Sequence, residues 1–392
     1  MIFSIERFVP SKISKVLFLR RGYVNMTYSV VPRSKHLTSF VFFNDILFQT
    51  NRILDSGSPS TIVFDFSYVE TINPLMIPNF LCLGLKCRSK RFIPFLIVPS
   101  SLSSKYNIIG YLYDLGFKQI SDQYKIFDLE ENLWGGFDHY EDLDATLMCY
   151  KQFDDDEKIK CRVKIAPILR GIDYGFGVDV TDVYGLIEEL VENSIDHGNS
   201  LAFLSVTYTK KYKLLQISES DMGMGLYSSL DYRTKRWPVV FDPNRPVDPS
   251  IVECITMLMK IAKEDYENRN VYSILCAILF RCKIDDKMVR QTIYGIFSVF
   301  YSVLNKEGTI RLHSNDTQVI LTNNHAKYFK DVNNGKRTIT ESMTALAKSI
   351  IASGKNSDIS KSNLRKGLNL SGVHFEIDLK INRQGRNSHD IL

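Results

Sequence analysis

No run of apolar residues in this chain approaches the roughly 20 that a membrane-crossing helix needs, so no spanning segment and no membrane partner are expected. Its seven cysteines include no Cys-x-x-Cys pair, and an odd count without that spacing suggests neither a disulfide framework nor a zinc site. Cys82 and Cys87 fall in one apolar helix-like run and Cys276 and Cys282 in another, as core thiols do. The opening residues, MIFSIERFVPSKIS, lack a cationic start followed by an apolar stretch, so no signal peptide is expected and the cytoplasm is the expected compartment. The net charge of +5 is mild. Short basic clusters at 86–91 (KCRSKR) and 210–213 (KKYK) suit a solvated surface, and no wider aromatic-basic pattern indicates nucleic acid as a partner.

At 392 residues the chain exceeds one ordinary core, and two or three domains are expected. Apolar and charged fractions of 44% and 24% are those of a soluble globular protein. The most informative stretch is residues 185–198, GLIEELVENSIDHG. At 3.6 residues per turn, Leu186, Leu190, Val191, Ser194 and Ile195 share one side and form a packing face. Glu189 and Asn193 lie four apart and stack along one edge. A carboxylate and a carboxamide one turn apart suit an Mg²⁺–phosphate site. The amide oxygen can ligate a hard cation, and the carboxylate can orient or deprotonate a water. His197, a further turn along, could reach a phosphate oxygen. The same pattern also fits an amphipathic helix with a solvated acidic face.

Residues 213–220 (KLLQISES) have the pattern of a strand that runs into Asp221-Met222-Gly223-Met224-Gly225. Two glycines after a strand permit positive φ and close backbone approach to a flat ligand. The aspartate before them can accept hydrogen bonds from an exocyclic amine such as adenine N6.

In this order, the two motifs resemble those of the GHKL ATPase superfamily, which includes DNA gyrase, mismatch-repair ATPases, a large heat-shock chaperone, histidine kinases and anti-sigma serine kinases. E-L-V-E-N-S-I-D is close to the mismatch-repair form, and D-H-G is nearer the anti-sigma kinases. The resemblance implies Glu189 as the water-activating base, Asn193 as the Mg²⁺ ligand, His197 near phosphate and Asp221 as the adenine reader. Gly223 and Gly225 would form the floor beneath the base. It implies ATP and Mg²⁺ as ligands and an α+β two-layer sandwich as the fold. Residues 294–304 resemble the family's long apolar helix, 307–312 (EGTIRL) its turn-and-strand, and 372–377 (GVHFEI) its final G-T-x-F strand.

Two departures stand out. The family often has G-x-G before the long helix, where backbone amides hold phosphate. Here Ile293 replaces the first glycine, leaving Gly295, and Val373 stands where a threonine usually follows the last glycine. Binding is therefore favoured over fast hydrolysis. Arg290 and Lys287 are candidates for phosphate contact, although surface placement suits them as well.

Upstream, residues 59–130 alternate buried-strand and helix patterns, as an α/β unit with a mixed sheet does. TIVFDF (61–66) and FIPFLIV (92–98) are strands, 76–89 and 107–115 are helices, and 117–120 (FKQI) is expected to open a further strand. The stretch resembles a STAS domain, the fold of anti-sigma antagonists, with 65–69 (DFSYV) matching that family's strand-to-loop sequence. Phosphorylated members open the next helix with a serine. Here Asn73, Pro74 and Leu75 carry no hydroxyl, which argues against phosphorylation at that site.

The expected order is thus an unclassified N-terminal extension (1–58), a STAS-like α/β domain (59–130) and an acidic connector (131–157) with a short strand near 145–150. A GHKL-type ATP-binding domain (158–385) and a tail (386–392) follow. Residues 160–165 have a strand pattern. An insertion at 324–369 holds a helix over 341–353, with flanks whose composition suggests mobility. The expected function is a slow Mg²⁺-dependent ATPase acting as a nucleotide-gated switch, with a protein partner on the STAS-like domain or the insertion and a homodimer as an option. The alternatives are a serine/threonine kinase of anti-sigma type and an interaction module that only binds nucleotide. No histidine lies in a His-(Glu/Asp)-x-x-x-Pro helix, which counts against a sensor histidine kinase.

Overall fold

The computed structural model describes residues 15–20, 23–99, 108–129, 143–170, 180–198, 200–234, 248–279, 283–285, 292–294, 296–355 and 362–380. β1 (Lys15–Arg20) pairs antiparallel with β2 (Tyr23–Val30). β3 (His36–Leu37) precedes a helical run made of α1 (Ser39–Val41), a π turn over Phe42–Ile46 and α2 (Leu47–Ser56). The Thr38 hydroxyl caps this run by accepting from the Val41 N–H. β4 (Thr61–Asp65) joins β2 in parallel, and β5 (Thr71–Ile72) pairs with β3. Asn73 accepts a hydrogen bond from the Leu75 N–H at 2.9 Å, a turn that launches α3 (Met76–Ser89). β6 (Ile93–Ile97), α4 (Ile108–Leu115), α5 (Phe117–Tyr124) and β7 (Asp128–Leu129) complete a mixed sheet of order β1-β2-β4-β6-β7. The first 58 residues are therefore not a separate extension where they are described, since β1 and β2 belong to the same sheet as β4. Residues 117–120 form a helix, contrary to the strand expected there. Gly116, at φ 91°, ends α4, and Phe117, Ile120 and Ser121 then bury one helical face.

The second half is built on seven antiparallel strands. β8 (Leu143–Tyr150) is an edge strand, α6 (Asp155–Arg170) and α7 (Val180–Gly198) follow, and then β9 (Ala202–Thr209) and β10 (Leu214–Asp221). α8 (Leu226–Thr234), α9 (Pro249–Glu264) and α10 (Arg269–Leu279) come next, with a small hairpin of β11 (Lys283–Asp285) and β12 (Thr292–Tyr294). After α11 (Ile296–Asn305) come β13 (Thr309–Ser314), β14 (Thr317–Leu321), α12 (Ala326–Asn333), α13 (Ile339–Ser353), β15 (Leu364–Arg365) and β16 (Val373–Lys380). The order is β15-β14-β13-β16-β10-β9-β8, with β10 and β16 side by side near the centre.

Two expectations change here, while the strand expected near 145–150 is present as β8, paired along its length with β9. Residues 160–165 are helical: Cys161, Ile165, Ile168 and Leu169 form the buried stripe of α6, while Val163 is exposed. The described helices of the insertion belong to the core, while residues 356–361 of the flank expected to be mobile lie outside the described residues. Phe329, Met343, Leu346 and Ile350 are buried, and β15 pairs with β14.

The seven-stranded sheet carries the described helices of its own half on one face, and the N-terminal half lies against the other. Leu215 and Ile217 of β10 join Phe375, Ile377 and Leu379 of β16 in the core beneath α7, α9, α10 and α11. The alternate residues meet α3 of the N-terminal half. Ser218 Oγ donates to the Leu75 carbonyl at 2.8 Å, Ser220 Oγ to Asn79 Oδ1 at 2.9 Å, and Asn79 Nδ2 to Glu376 Oε1 at 2.8 Å. Arg311 lies 3.5 Å from the other oxygen of Glu376. Polar residues that would ordinarily face water are thus buried between the two halves, where hydrogen bonding offsets their desolvation.

His313 and His374 lie in the same interface, with ring centroids 5.0 Å apart and Phe43 at 5.0 Å from His313. Their Nε2 atoms donate to the Leu368 and Ser371 carbonyls. Burial pulls His313 down to about 4 and His374 well below the usual imidazole range. Between about pH 6.5 and 4 the unfolded chain therefore takes up protons that the folded chain refuses, and stability is lost as pH falls through that window. Glu376, raised by burial, contributes with the opposite sign. A comparison with His313→Asn isolates the imidazole: the variant's unfolding free energy should be less acid-sensitive by about 1.4 kcal/mol per pH unit in urea titrations. An unchanged slope would mean that the ring is solvated.

Candidate functional site

The sheet's helix-facing side opens into a cleft where α7 crosses the end of β10. Leu186, Ile187 and Val191 anchor α7 in the core. Ion pairs from Arg162 to Glu188 and from Lys158 to Glu192 tie its outer side to α6. Leu190 and Ser194, one turn apart, are left to face the strand. The space within the cleft and its open mouth totals about 810 Å³, solvent at the mouth included. Its walls are apolar, from Leu226 and Leu230 of α8, Ile278 of α10, Ile296 and Phe300 of α11, Leu312 of β13, and Val373 and Phe375 of β16. Polar groups enter from Ser194, Ser229, Glu219 and Asp221.

Asp221 is 2% exposed. Gly223 N–H donates to its Oδ1 at 2.5 Å, Ser194 Oγ lies 3.1 Å from its Oδ2, and the Val373 N–H also bonds to it. Burial pushes its pKa up to about 6, opposed by those three donors, which favour the anion. The backbone around it leaves no room for side chains. Gly372 has φ 98°, and a Cβ there would sit 2.1 Å from the Asp221 carbonyl oxygen. Gly225 has φ 78°, and a Cβ there would meet Asn315 Nδ2 at 2.2 Å. Asn315 in turn donates to the Met224 carbonyl at 3.3 Å and accepts from the Gly372 N–H at 3.4 Å. The Asp-x-Gly-x-Gly turn is thereby pinned between the β13–β14 hairpin and the start of β16.

Of the residues expected from the sequence, Asp221 and Gly225 line the cleft, and Gly223 holds the Asp221 carboxylate. Glu189 lies on α7 beside Leu190, half-buried, and is not among the lining residues. Asn193 and His197 are on the same helix, but their side chains lie outside the described residues, as do Gly295, Arg290 and Lys287. Val373 presents its apolar side chain to the cleft where the resemblance would place a hydroxyl.

Two lining residues were not singled out from the sequence. Glu219, 1% exposed, shares the cleft face of β10 with Asp221, and Ser194 Oγ lies 2.6 Å from its Oε1. Burial and the neighbouring Asp221 push the Glu219 carboxyl well above the usual carboxylate range. Its signal is the two-residue spacing from Asp221 along a strand, which puts both side chains on one face. Ser194 stands four residues after Leu190 on the stripe whose spacing predicts a packing face. Among the described residues no group of three His, Cys, Asp or Glu side chains could hold a metal ion. Comparisons of the chain with protein-family models, with curated proteins and with solved structures gave no match.

Proposed function

We propose that the cleft takes the base of ATP, with Mg²⁺ carried on the phosphates, and that the chain is a slow ATPase working as a nucleotide-gated switch in the cytoplasm. The observation that carries this reading is the buried Asp221 carboxylate. It faces an apolar cleft at the end of β10, directly before a turn whose glycines bring the backbone close. A carboxylate and a hydroxyl set in flat apolar walls fit an amine-bearing planar base. Asn193 would hold Mg²⁺ and Glu189 would orient water, as the resemblance to GHKL ATPases implies. The metal supplies charge neutralisation at the phosphates. Among the described residues no helix is long and apolar enough to cross a membrane.

A kinase acting on its own N-terminal half is disfavoured by geometry. Ser218 and Gln216, on the β10 face opposite the cleft, bond to Leu75 and Asn73, so the start of α3 faces away from the nucleotide. A separate protein substrate would be needed, and a protein partner would meet the N-terminal half on surfaces other than the docked face of α3. The binding-only reading is favoured by Val373 in the cleft and by Glu189 beside it rather than in it.

Calorimetry with ATP and Mg²⁺ on the full chain tests the proposal, and an absence of binding ends it. Glu189→Ala is expected to keep nucleotide affinity while turnover falls by about 100-fold or more. Unchanged turnover would remove Glu189 as the base. Wild-type binding without turnover would leave the binding-only module, and labelling of an added protein from γ-labelled ATP would favour the kinase.

A further inference from the structure

Two carboxyl groups share one hydroxyl in the cleft. Ser194 Oγ lies 2.6 Å from Glu219 Oε1 and 3.1 Å from Asp221 Oδ2. A serine hydroxyl has a single proton to donate. If both acids were ionised, one of these contacts would set a lone pair against a lone pair in a buried site. Both contacts are satisfied when one acid carries a proton and donates to Ser194, which then donates to the other.

The surroundings decide which acid that is. Asp221 also accepts from the Gly223 N–H and the Val373 N–H, donors that hold an anion. Glu219 sits between Leu204 of β9 and Phe375 of β16 in the sheet register. α8, α10 and α11 turn the apolar Leu230, Ile278 and Phe300 into the same cleft, and α7 brings Ser194 and Leu190. Among the described residues the titratable neighbours of Glu219 are Asp221 and, from α3 across the sheet, the buried Cys82 thiol, which burial keeps neutral. No described cation lines the cleft.

We propose that Glu219 is a positioning residue that works as a neutral acid: it donates to Ser194 Oγ, Ser194 donates to Asp221 Oδ2, and this chain fixes Asp221 as the ionised acceptor for the amine of a purine base. The inference rests on the nucleotide reading above and adds to it a proton requirement. Only the singly protonated pair binds well. Protonating Asp221 removes the acceptor at low pH. Ionising Glu219 at high pH breaks the chain and adds a second buried negative charge beside the ligand.

The test is ADP affinity by calorimetry from about pH 5 to pH 10, for the wild type and for Glu219→Gln, with folding checked by circular dichroism. The Gln amide donates to Ser194 at every pH. Wild-type affinity should be bell-shaped, falling roughly tenfold per pH unit beyond each limb. Glu219→Gln should keep the acid limb and lose the alkaline one. An alkaline limb present in both proteins, or absent from the wild type, overturns the proposal while leaving nucleotide binding intact. No ADP binding at any pH overturns both. The second readout needs no nucleotide: near neutral pH the infrared spectrum should contain a neutral carboxylic-acid band that Glu219→Gln lacks, and its absence from the wild type overturns the proposal alone.

Discussion

Asp221→Asn should weaken ATP binding by about 10- to 100-fold, because a hydrogen bond to a charged acceptor contributes about 1.5–3 kcal/mol. The substitution nearly preserves shape. An Asn oxygen can still accept from the Gly223 N–H, which reaches Asp221 Oδ1 at 2.5 Å. The Asn NH₂ then replaces Oδ2, the acceptor from Ser194 Oγ, so Ser194 must turn its hydroxyl and donor meets donor at the base. Neutralising a buried acid whose pKa burial has already raised should leave stability within about 1 kcal/mol of the wild type. Calorimetry and thermal unfolding on the same samples separate the two effects. Unchanged affinity in a folded variant would remove Asp221 as the reader of the base.

Gly372→Ala should give the largest loss of stability of any single methyl addition in the site. Its φ of 98° lies where side chains are strained, at about 1–3 kcal/mol. The new Cβ would also come 2.1 Å from the backbone oxygen of Asp221, an atom with no rotamer to escape into. Overpacking of that kind adds about 1–3 kcal/mol, and the strain falls on the β10–β16 pairing next to Ser220 and His374. Two controls bracket the effect. Gly335→Ala has φ 65° and nothing within 4 Å, so it should cost backbone strain alone. Gly225→Ala meets the side chain of Asn315, which can turn away, and should fall between the two. Urea midpoints should rank them in that order, and a Gly372→Ala protein as stable as Gly335→Ala would mean that the turn is not packed on β16.

Much of the fold was legible in local pattern. The apolar runs that become α3 and α13, and the strand entering Asp-x-Gly-x-Gly, carry their period in the sequence and lie within a few residues of where they were expected. Elsewhere local pattern and tertiary packing disagree. KCRVKI alternates like a strand, yet Val163 is exposed and the burial of Cys161, Ile165, Ile168 and Leu169 follows the helix. In FKQI, two apolar residues three apart cannot distinguish the periods, and the left-handed Gly116 decides the matter. The alternating Ser, His and Glu of β10 and β16 look like a solvated face. Only tertiary docking of α3 reveals Ser218, Ser220, His374 and Glu376 as buried. For the site, Asp221 was legible because its glycines follow at once. Its partner Ser194 lies 27 residues away, and nothing local announces that their side chains meet.

In the proposed complex α7 and the turn after β10 close on one purine ring, and photolabelling with 2-azido-ATP and Mg²⁺, mapped by mass spectrometry, reads that contact. Label is expected on peptides from α7 around Leu190–Ser194 or from the turn and α8 around Met224–Leu230, competed by ATP and lost in Asp221→Asn. Label that ATP competes away elsewhere, for instance in the N-terminal sheet, with none on those two segments, would contradict that arrangement.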